Sequence, residues 1–249
     1  MNVVLIHESE IIDQTSVTLK DYRAKHLVKV LKGEVGDSLR VGVLDGDLGS
    51  GKILKIQKKY PFSVELQLEF VTKPPDKAPI DLILALPRPI MFRRILSQAT
   101  ALGVGTLHVI NAARVEKSFW DAGLIEENQY MEHIIHGLEQ AVDTIPPKII
   151  FHRRFKPFIE DFVPQVSQNY GCMLVAHPAD SAKLHEVVAC AEEKILVAIG
   201  PEGGWVDYEE DKFREASFHG FTLGKRILKV DTAVINIHGR IMALLESRS

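Results

Sequence analysis

Ile195-Leu-Val-Ala-Ile-Gly-Pro-Glu-Gly-Gly-Trp205 decides how the chain is read. Ile195 to Ile199 is an almost wholly apolar run, the pattern of a strand covered on both faces. It stops at Gly200-Pro201-Glu202-Gly203-Gly204, where three glycines and a proline in five residues forbid further strand. Such a turn leaves its backbone amides unshielded, so a ligand can approach the main chain closely. Asp207 is predicted to cap a following helix, with Glu210 completing a capping box and Gly220 closing it. Strand, glycine turn and helix in that order mark where open α/β sheets receive ligands.

Working outward, the same alternation extends back to about residue 80. Leu82–Leu86, Thr106–Ile110, Lys148–Phe151 and Cys172–Ala176 are further strand candidates. Between them, Phe92, Ile95, Leu96, Ala99 and Leu102 recur at helical spacing and stop at Gly103, and Tyr130, Ile134, Leu138 and Ala141 form a second stripe. Leu184, Val187, Val188 and Ala191 give a third, and Val234, Ile237, Ile241 and Leu244 a fourth. The fold class is therefore α/β, with a mostly parallel sheet and helices on both faces. No internal repeat or low-complexity tract interrupts it.

The first 70 or so residues read differently, as mostly β. Val3–Ile6 and Val35–Val41 are strands, Asp45–Gly51 is a turn cluster, and Val64, Leu66, Leu68 and Phe70 alternate with polar residues. One helix is expected within Asp21–Leu31, with Leu27, Val30 and Leu31 on its apolar face. Together these make a small barrel. The charges of its helix, Arg23, Lys25, Lys29 and Lys32, admit two readings, a phosphate-contacting surface or a solvated face. Val71–Pro79, with three prolines and no periodicity, reads as a linker, which divides the chain into domains 1–73 and 74–249.

Composition excludes several classes. The 249 residues are 46% hydrophobic and 25% charged, ordinary for a globular protein, and no apolar run approaches the ~18 residues of a membrane span. The amino terminus carries no export signal, and Cys172 and Cys190 are expected as buried thiols in a reducing cytoplasm. A net charge of -3 confines any RNA binding to local patches. Gly200-Pro-Glu-Gly-Gly204 is not a dinucleotide fingerprint, and Gly220-Phe-Thr-Leu-Gly-Lys225 is one residue short of a P-loop, with Arg226 where a magnesium-holding hydroxyl belongs. His133 and His136 are wrongly spaced for a helical zinc pair, so no metal is expected, and no serine-hydrolase elbow or C-x-x-C pair is present.

Two carboxyl-terminal segments, Ile199-Gly-Pro-Glu-Gly-Gly204 and Leu223-Gly-Lys-Arg-Ile-Leu-Lys-Val-Asp-Thr-Ala233, carry a family resemblance, joined by Ala101-Leu-Gly-Val104 and Glu139-Gln140. Together they resemble the RsmE family of 16S ribosomal RNA uridine N3-methyltransferases, within the SPOUT superfamily. His26–Leu31 and Val35–Leu39 extend the likeness to that family's amino-terminal PUA-like barrel. Departures mark a divergent branch: Ala101 replaces a usual acid, Ala141-Val-Asp-Thr144 follows Glu139-Gln140, and Lys229-Val-Asp-Thr-Ala233 replaces a common Arg-Thr-Glu-Thr-Ala.

The resemblance implies a trefoil-knotted methyltransferase domain, a homodimer, a cytoplasmic location, ribosomal RNA or the small subunit as partner, and S-adenosyl-L-methionine as cofactor. It implies a pocket built from Ala176, His177, Pro178, Ile199, Gly200, Pro201, Glu202, Gly203, Gly204, Leu223, Gly224, Ile227, Leu228 and Ala233. For the chemistry, Arg226 is the candidate to stabilise a uridine imidate, and Glu202 or Asp231 to take the imide proton. Structural roles compete for both acids: Glu202 orienting the turn, Asp231 capping a helix over 232–245. RNA contacts would come from Lys25, Lys29, Lys32 and Arg40 in the barrel, and from Arg88, Arg93, Arg94, Arg114 and Lys117 beyond it. Phe119 or Trp120 stands either as a base-stacking ring or as core. A methyltransferase for another RNA, a non-catalytic RNA-binding protein and a small-molecule enzyme remain as alternatives.

Overall fold

A computed structural model describes residues 1–123, 125–178, 182–188 and 194–248. Cys190 and Ala191 lie outside the described residues. The chain forms two units, one of Met1–Asp76 with Ile135–Pro146, the other of Lys77–Ile134 with Pro147–Ser249.

The first unit is a five-stranded mixed sheet built from β1 (Val4–Ile6), β2 (Ser16–Leu19), β3 (Ser38–Val43), β4 (Leu48–Gln57) and β5 (Ser63–Thr72), with α1 (Tyr22–Lys29) inserted after β2. Its order is β1-β3-β4-β5-β2; β1 and β3 run parallel and the other pairs antiparallel. Alternation in β5 buries Val64, Leu66 and Leu68, which join Val4, Ile6, Leu19, Leu27, Val41 and Ile53 in one core. Register shifts in β4 at Leu48/Gly49 and Ile53/Lys55 bend the sheet over that core.

Five details of this unit depart from the expected ones. β3 begins at Ser38, the turn cluster is shorter because Leu48–Gly51 already belongs to β4, and Val71–Thr72 still belongs to β5. In α1, Asp21 caps the first turn by accepting from the Arg23 amide, and Leu27 is buried, but Val30 and Leu31 are exposed. Helical geometry ends at Lys29, so the periodicity that would turn those two inward stops with it. Arg23, expected as a surface charge, is buried instead, where it pairs with Glu10 and Asp21 and donates to the Leu5 carbonyl at 2.6 Å.

Residues 135–146 complete the unit. The amides of Asn2 and Val3 donate to the Glu139 carbonyl, the Asp45 amide donates to the Thr144 carbonyl, and Tyr22 donates its hydroxyl to Glu139 Oε1 at 3.0 Å. Burial pushes the Glu139 carboxyl above the usual carboxylate range.

The second unit holds β6 (Ile80–Ala85), α2 (Pro89–Ala101), β7 (Thr106–Ile110), α3 (Lys117–Trp120), the first half of α4 (Glu127–Ala141), β8 (Lys148–His152), α5 (Phe155–Pro157), α6 (Val163–Val166), β9 (Cys172–Ala176), α7 (Leu184–Val188), β10 (Ile195–Ile199), α8 (Asp207–Glu215), β11 (His219–Phe221) and α9 (Val230–Glu246). A π-turn, Phe158–Phe162, joins α5 to α6. Every pairing in the six-stranded sheet is parallel, in the order β11-β9-β10-β6-β7-β8. All residues of β6 and β10 are buried, as central strands covered on both faces require; β10 is wholly apolar, while β6 includes Asp81, paired with Lys194 and Tyr170. The helical stripes leave Leu102, the C-cap of α2, and Leu244, near the end of α9, only half-buried, and bury Phe92, Ile95, Leu96 and Ala99 in α2 and Val234, Ile237 and Ile241 in α9. Each large aliphatic or aromatic side chain so placed contributes about 1.5–3 kcal/mol.

Three local expectations change here. α8 starts one residue earlier, with Val206 at its N-cap and Glu209, not Glu210, accepting from the Val206 amide at 3.1 Å. Gly220 does not close that helix; Ser217, at φ 65°, follows its end, and Gly220 lies in edge strand β11. α9 begins at Val230, so Asp231 sits in its first turn and accepts from the adjacent Thr232 amide at 2.8 Å. Trp120 belongs to the core, its indole donating to Asn111 Oδ1 at 3.0 Å, which excludes it as a stacking platform.

Candidate functional site

The strand order places a switch beside β10. From β6 the chain builds outward through β7 and β8, then crosses so that β9, β10 and β11 complete the opposite side. Crevices at the carboxyl ends of strands around such a switch are where parallel sheets take ligands. The segment after β9 brings Ala176, His177 and Pro178; the turn after β10 brings Ile199, Gly200, Pro201, Glu202, Gly203 and Gly204; the segment after β11 brings Leu223 and Gly224. Ile227, Leu228 and Ala233 follow as the chain enters α9. All line one cavity of about 600 Å³, within the usual range for small-molecule sites.

The two loops are held by short contacts. Gly204 donates its amide to the Pro201 carbonyl at 2.8 Å, closing the first turn. Arg114, expected among the RNA contacts, donates Nη1 to the Gly203 carbonyl and, at 3.2 Å, to the Trp205 carbonyl, and itself lines the cavity. A Cβ on Gly203 would meet the Arg114 side chain at 3.0 Å, so any larger residue there presses on the clamp. Glu209, buried, accepts from Ala113 at 2.7 Å and from Val206, tying the arginine's segment to the start of α8. On the second loop, Gly224 holds φ 109° and donates to Thr222 Oγ1 at 3.1 Å. His177 donates its amide to the Phe221 carbonyl at 2.9 Å, and its Nε2 lies 3.0 Å from Glu210 Oε1.

Of the candidate catalytic groups, Arg226 and Glu202 border the cavity. Glu202 Oε1 also accepts from the Arg88 amide at 3.4 Å. Asp231 does not line it; besides its contact with Thr232 it lies 3.9 Å from Arg94. Arg88, Arg93, Arg94 and Lys117 are exposed in this unit, and Lys25, Lys29, Lys32 and Arg40 are exposed in the first. Trp205, Phe221, Thr222, Lys229 and Val230 complete the lining and were not indicated by the sequence. Trp205 packs its indole over Gly200, so its only local signal was that it follows the glycine turn.

Arg114, Arg226 and Lys229 set three cations around the cavity against the single carboxylate of Glu202. That balance suits a ligand carrying negative charge at its rim, while apolar walls and loop main chain suit a heterocycle. Among the described residues no group of three metal-binding side chains occurs.

A family model described as RNA methyltransferase domain matches residues 74–242. A ribosomal RNA small subunit methyltransferase E of Treponema pallidum (strain Nichols) is 29% identical over 236 residues, 94% of this chain and 87% of that protein. A methyltransferase E 1 of Borreliella burgdorferi is 26% identical, covering 94% of each. Among solved structures, a ribosomal RNA small subunit methyltransferase E from Neisseria gonorrhoeae, bound to S-adenosyl methionine, shares the fold with a TM-score of 0.75. That match is 20% identical and covers 97% of this chain and 98% of the other.

Proposed function

The chain belongs to the RNA methyltransferase family, and we propose that it transfers a methyl group from S-adenosylmethionine to N3 of a uridine in 16S ribosomal RNA. The observation that carries this is that two glycine-bearing loops, 200–204 and 223–224, line a single cavity at the sheet's switch point. The residues present fit the cofactor: glycine at 203 leaves the Arg114 clamp its space, and the cavity offers loop main chain, apolar walls and cationic edges. Ile199–Gly204 and Leu223–Leu228 would hold it, with Ala176, His177, Pro178 and Ala233. When bound, the cofactor supplies an electrophilic methyl group on a sulfonium, which needs an aligned nucleophile and no metal.

The protein's own task is to make a poor nucleophile competent. The uridine imide must give up its proton, and negative charge must be stabilised on the ring as it does so. Arg226 serves the second need, since a guanidinium stays charged at any working pH. Glu202, at the cavity edge, is the better placed of the two acids to receive the proton; Asp231 steadies the first turn of α9 and acts through position. The exposed Arg88, Arg93, Arg94 and Lys117, together with Lys25, Lys29, Lys32 and Arg40, would contact RNA phosphates.

The finer parts of the reading belong to the same proposal: a PUA-like barrel for the first unit, a trefoil knot in the second, a cytoplasmic location and a homodimer. No helix among the described residues is long and apolar enough to cross a membrane. The test is to incubate the purified protein and labelled S-adenosylmethionine with unmodified small-subunit particles and map the label. A single uridine N3 is expected; label on another nucleotide would change the substrate, and no transfer with no cofactor binding would end the reading.

A further inference from the structure

Val30 and Leu31, exposed just beyond α1, do not stand alone. Val30 is 63% exposed, Leu31 52% and Val35 62%, and the loop between β4 and β5 adds Tyr60 at 87%. These segments adjoin. Lys29 places its ammonium 5.2 Å from the Phe62 ring centre, and Lys58 pairs with Glu34. Single exposed apolar side chains need no explanation, but a group of four on one surface does.

Tyr60 is presented by a braced loop. Gln57 Nε2 donates to the carbonyls of Pro61 at 2.7 Å and Lys59 at 3.4 Å. The Tyr60 ring meets Phe62 edge-on, with centroids 6.1 Å apart, and Phe62 is itself packed against the unit's core. The aromatic is therefore held in water by a fixed mount, and little ordering remains to be done when something stacks on it. Lys29, beside Phe62, and Lys59, the chain neighbour of Tyr60, flank the ring; Lys25, one helical turn before Lys29, and Lys32 are exposed too, and none of the four makes an ion pair among the described residues.

We infer that this surface docks single-stranded RNA, with an unpaired base stacked on Tyr60 and phosphates met by Lys25, Lys29, Lys32 and Lys59. It rests on the proposal that the protein acts on RNA. Only an unpaired strand offers base faces to an exposed ring and aliphatics; a duplex presents phosphates and groove edges, which four lysines would meet without Tyr60. A protein partner fits the charge poorly, because lysine is depleted at the cores of protein interfaces.

The full chain is titrated against a fluorescent uridine-rich strand of about 12 nucleotides, a length within the span of small single-strand sites, and against the same strand annealed to its complement. The single strand binds more tightly, Tyr60→Ala weakens it by about tenfold and Tyr60→Phe by less than about twofold. Lys29→Ala flattens the salt dependence of log affinity by about 0.7. Equal affinity of wild type and Tyr60→Ala, or equal affinity for duplex, overturns the inference. So does a Tyr60→Ala variant that loses self-association while keeping RNA affinity, since the surface would then face a second copy. Cofactor binding, measured calorimetrically on the same samples, separates the two readings. A chain that binds RNA through Tyr60 but ignores S-adenosylmethionine keeps this inference and loses the methyl-transfer reading, and a chain that methylates RNA equally well with Ala at position 60 does the reverse.

Discussion

At Gly203 the side chain of Arg114 stands where a Cβ would be, 3.0 Å away. Gly203→Val therefore forces either the loop or the arginine to move, and S-adenosylmethionine affinity is expected to fall at least about tenfold by calorimetry, near 1.4 kcal/mol. Unchanged affinity would remove this loop from the cofactor site. Arg226→Ala should behave differently, because charge stabilisation in the transition state is lost while binding contacts stay: kcat falls roughly 10²–10³-fold with cofactor Kd nearly unchanged. Equal loss of both would make Arg226 architectural. These residues were legible because their signals are local, glycines and proline crowded after an apolar run. Arg114 was legible only as a charge: its grip on the Gly203 carbonyl spans 89 positions of sequence, which no periodicity reports.

Elements differ in how much of themselves they announce. Central strand β10 is an unbroken apolar run because both its faces are covered, and β7, β9 and β10 fall on the predicted residues; β6 begins at Ile80, two residues earlier than expected, because buried Asp81 breaks the apolar pattern there. Edge strand β11 is three residues long with a glycine at its centre, a pattern that reads as a helix stop until its parallel pairing with β9 is seen. At α8 the box was shifted by one, since Glu209 and Glu210 are equally plausible until the Ala113 amide selects Glu209. Glu209→Ala removes a buried carboxylate and leaves the Ala113 and Val206 amides without it, and should cost about 1–3 kcal/mol, read as a fall in Tm of roughly 2–10 °C.

Strands β7 and β8 carry a pH dependence of their own. His108 Nδ1 lies 3.2 Å from His152 Nε2, and both imidazoles pack against the stacked rings of Phe158 and Phe162. Burial pushes His108 down to about 4 and lowers His152. Unfolded histidines protonate near pH 6.5, so the unfolded state gains protons first as pH falls. Stability is thus full above pH 6.5 and is lost between there and about pH 4, with His108 contributing about 3 kcal/mol of the change. Denaturant midpoints measured across that range should show it, and His108→Phe should flatten the slope; an unaltered slope would place the titration elsewhere.

For the whole molecule, the consequential feature is that 135–146 belongs with the first unit. A composition shift at the proline-rich stretch marks one boundary, but nothing local tells that the chain returns sixty residues later, since α4 is a continuous helix that both units share. A fragment ending at Asp76 leaves the amides of Asn2, Val3 and Asp45 and the Tyr22 hydroxyl without Glu139 and Thr144. It should unfold at lower denaturant than the intact chain; a midpoint equal to that of the intact protein's first transition would show that the returning segment adds nothing.

The same return has a temporal side. A nascent chain makes all of the first unit's strands early, yet the segment that packs with them is not synthesised until residue 146. At roughly 5–20 residues per second the unit waits several seconds, with three main-chain donors unclaimed. Birth order and folding order are thereby interleaved: the beginning of this protein is completed only while its second unit is already under construction.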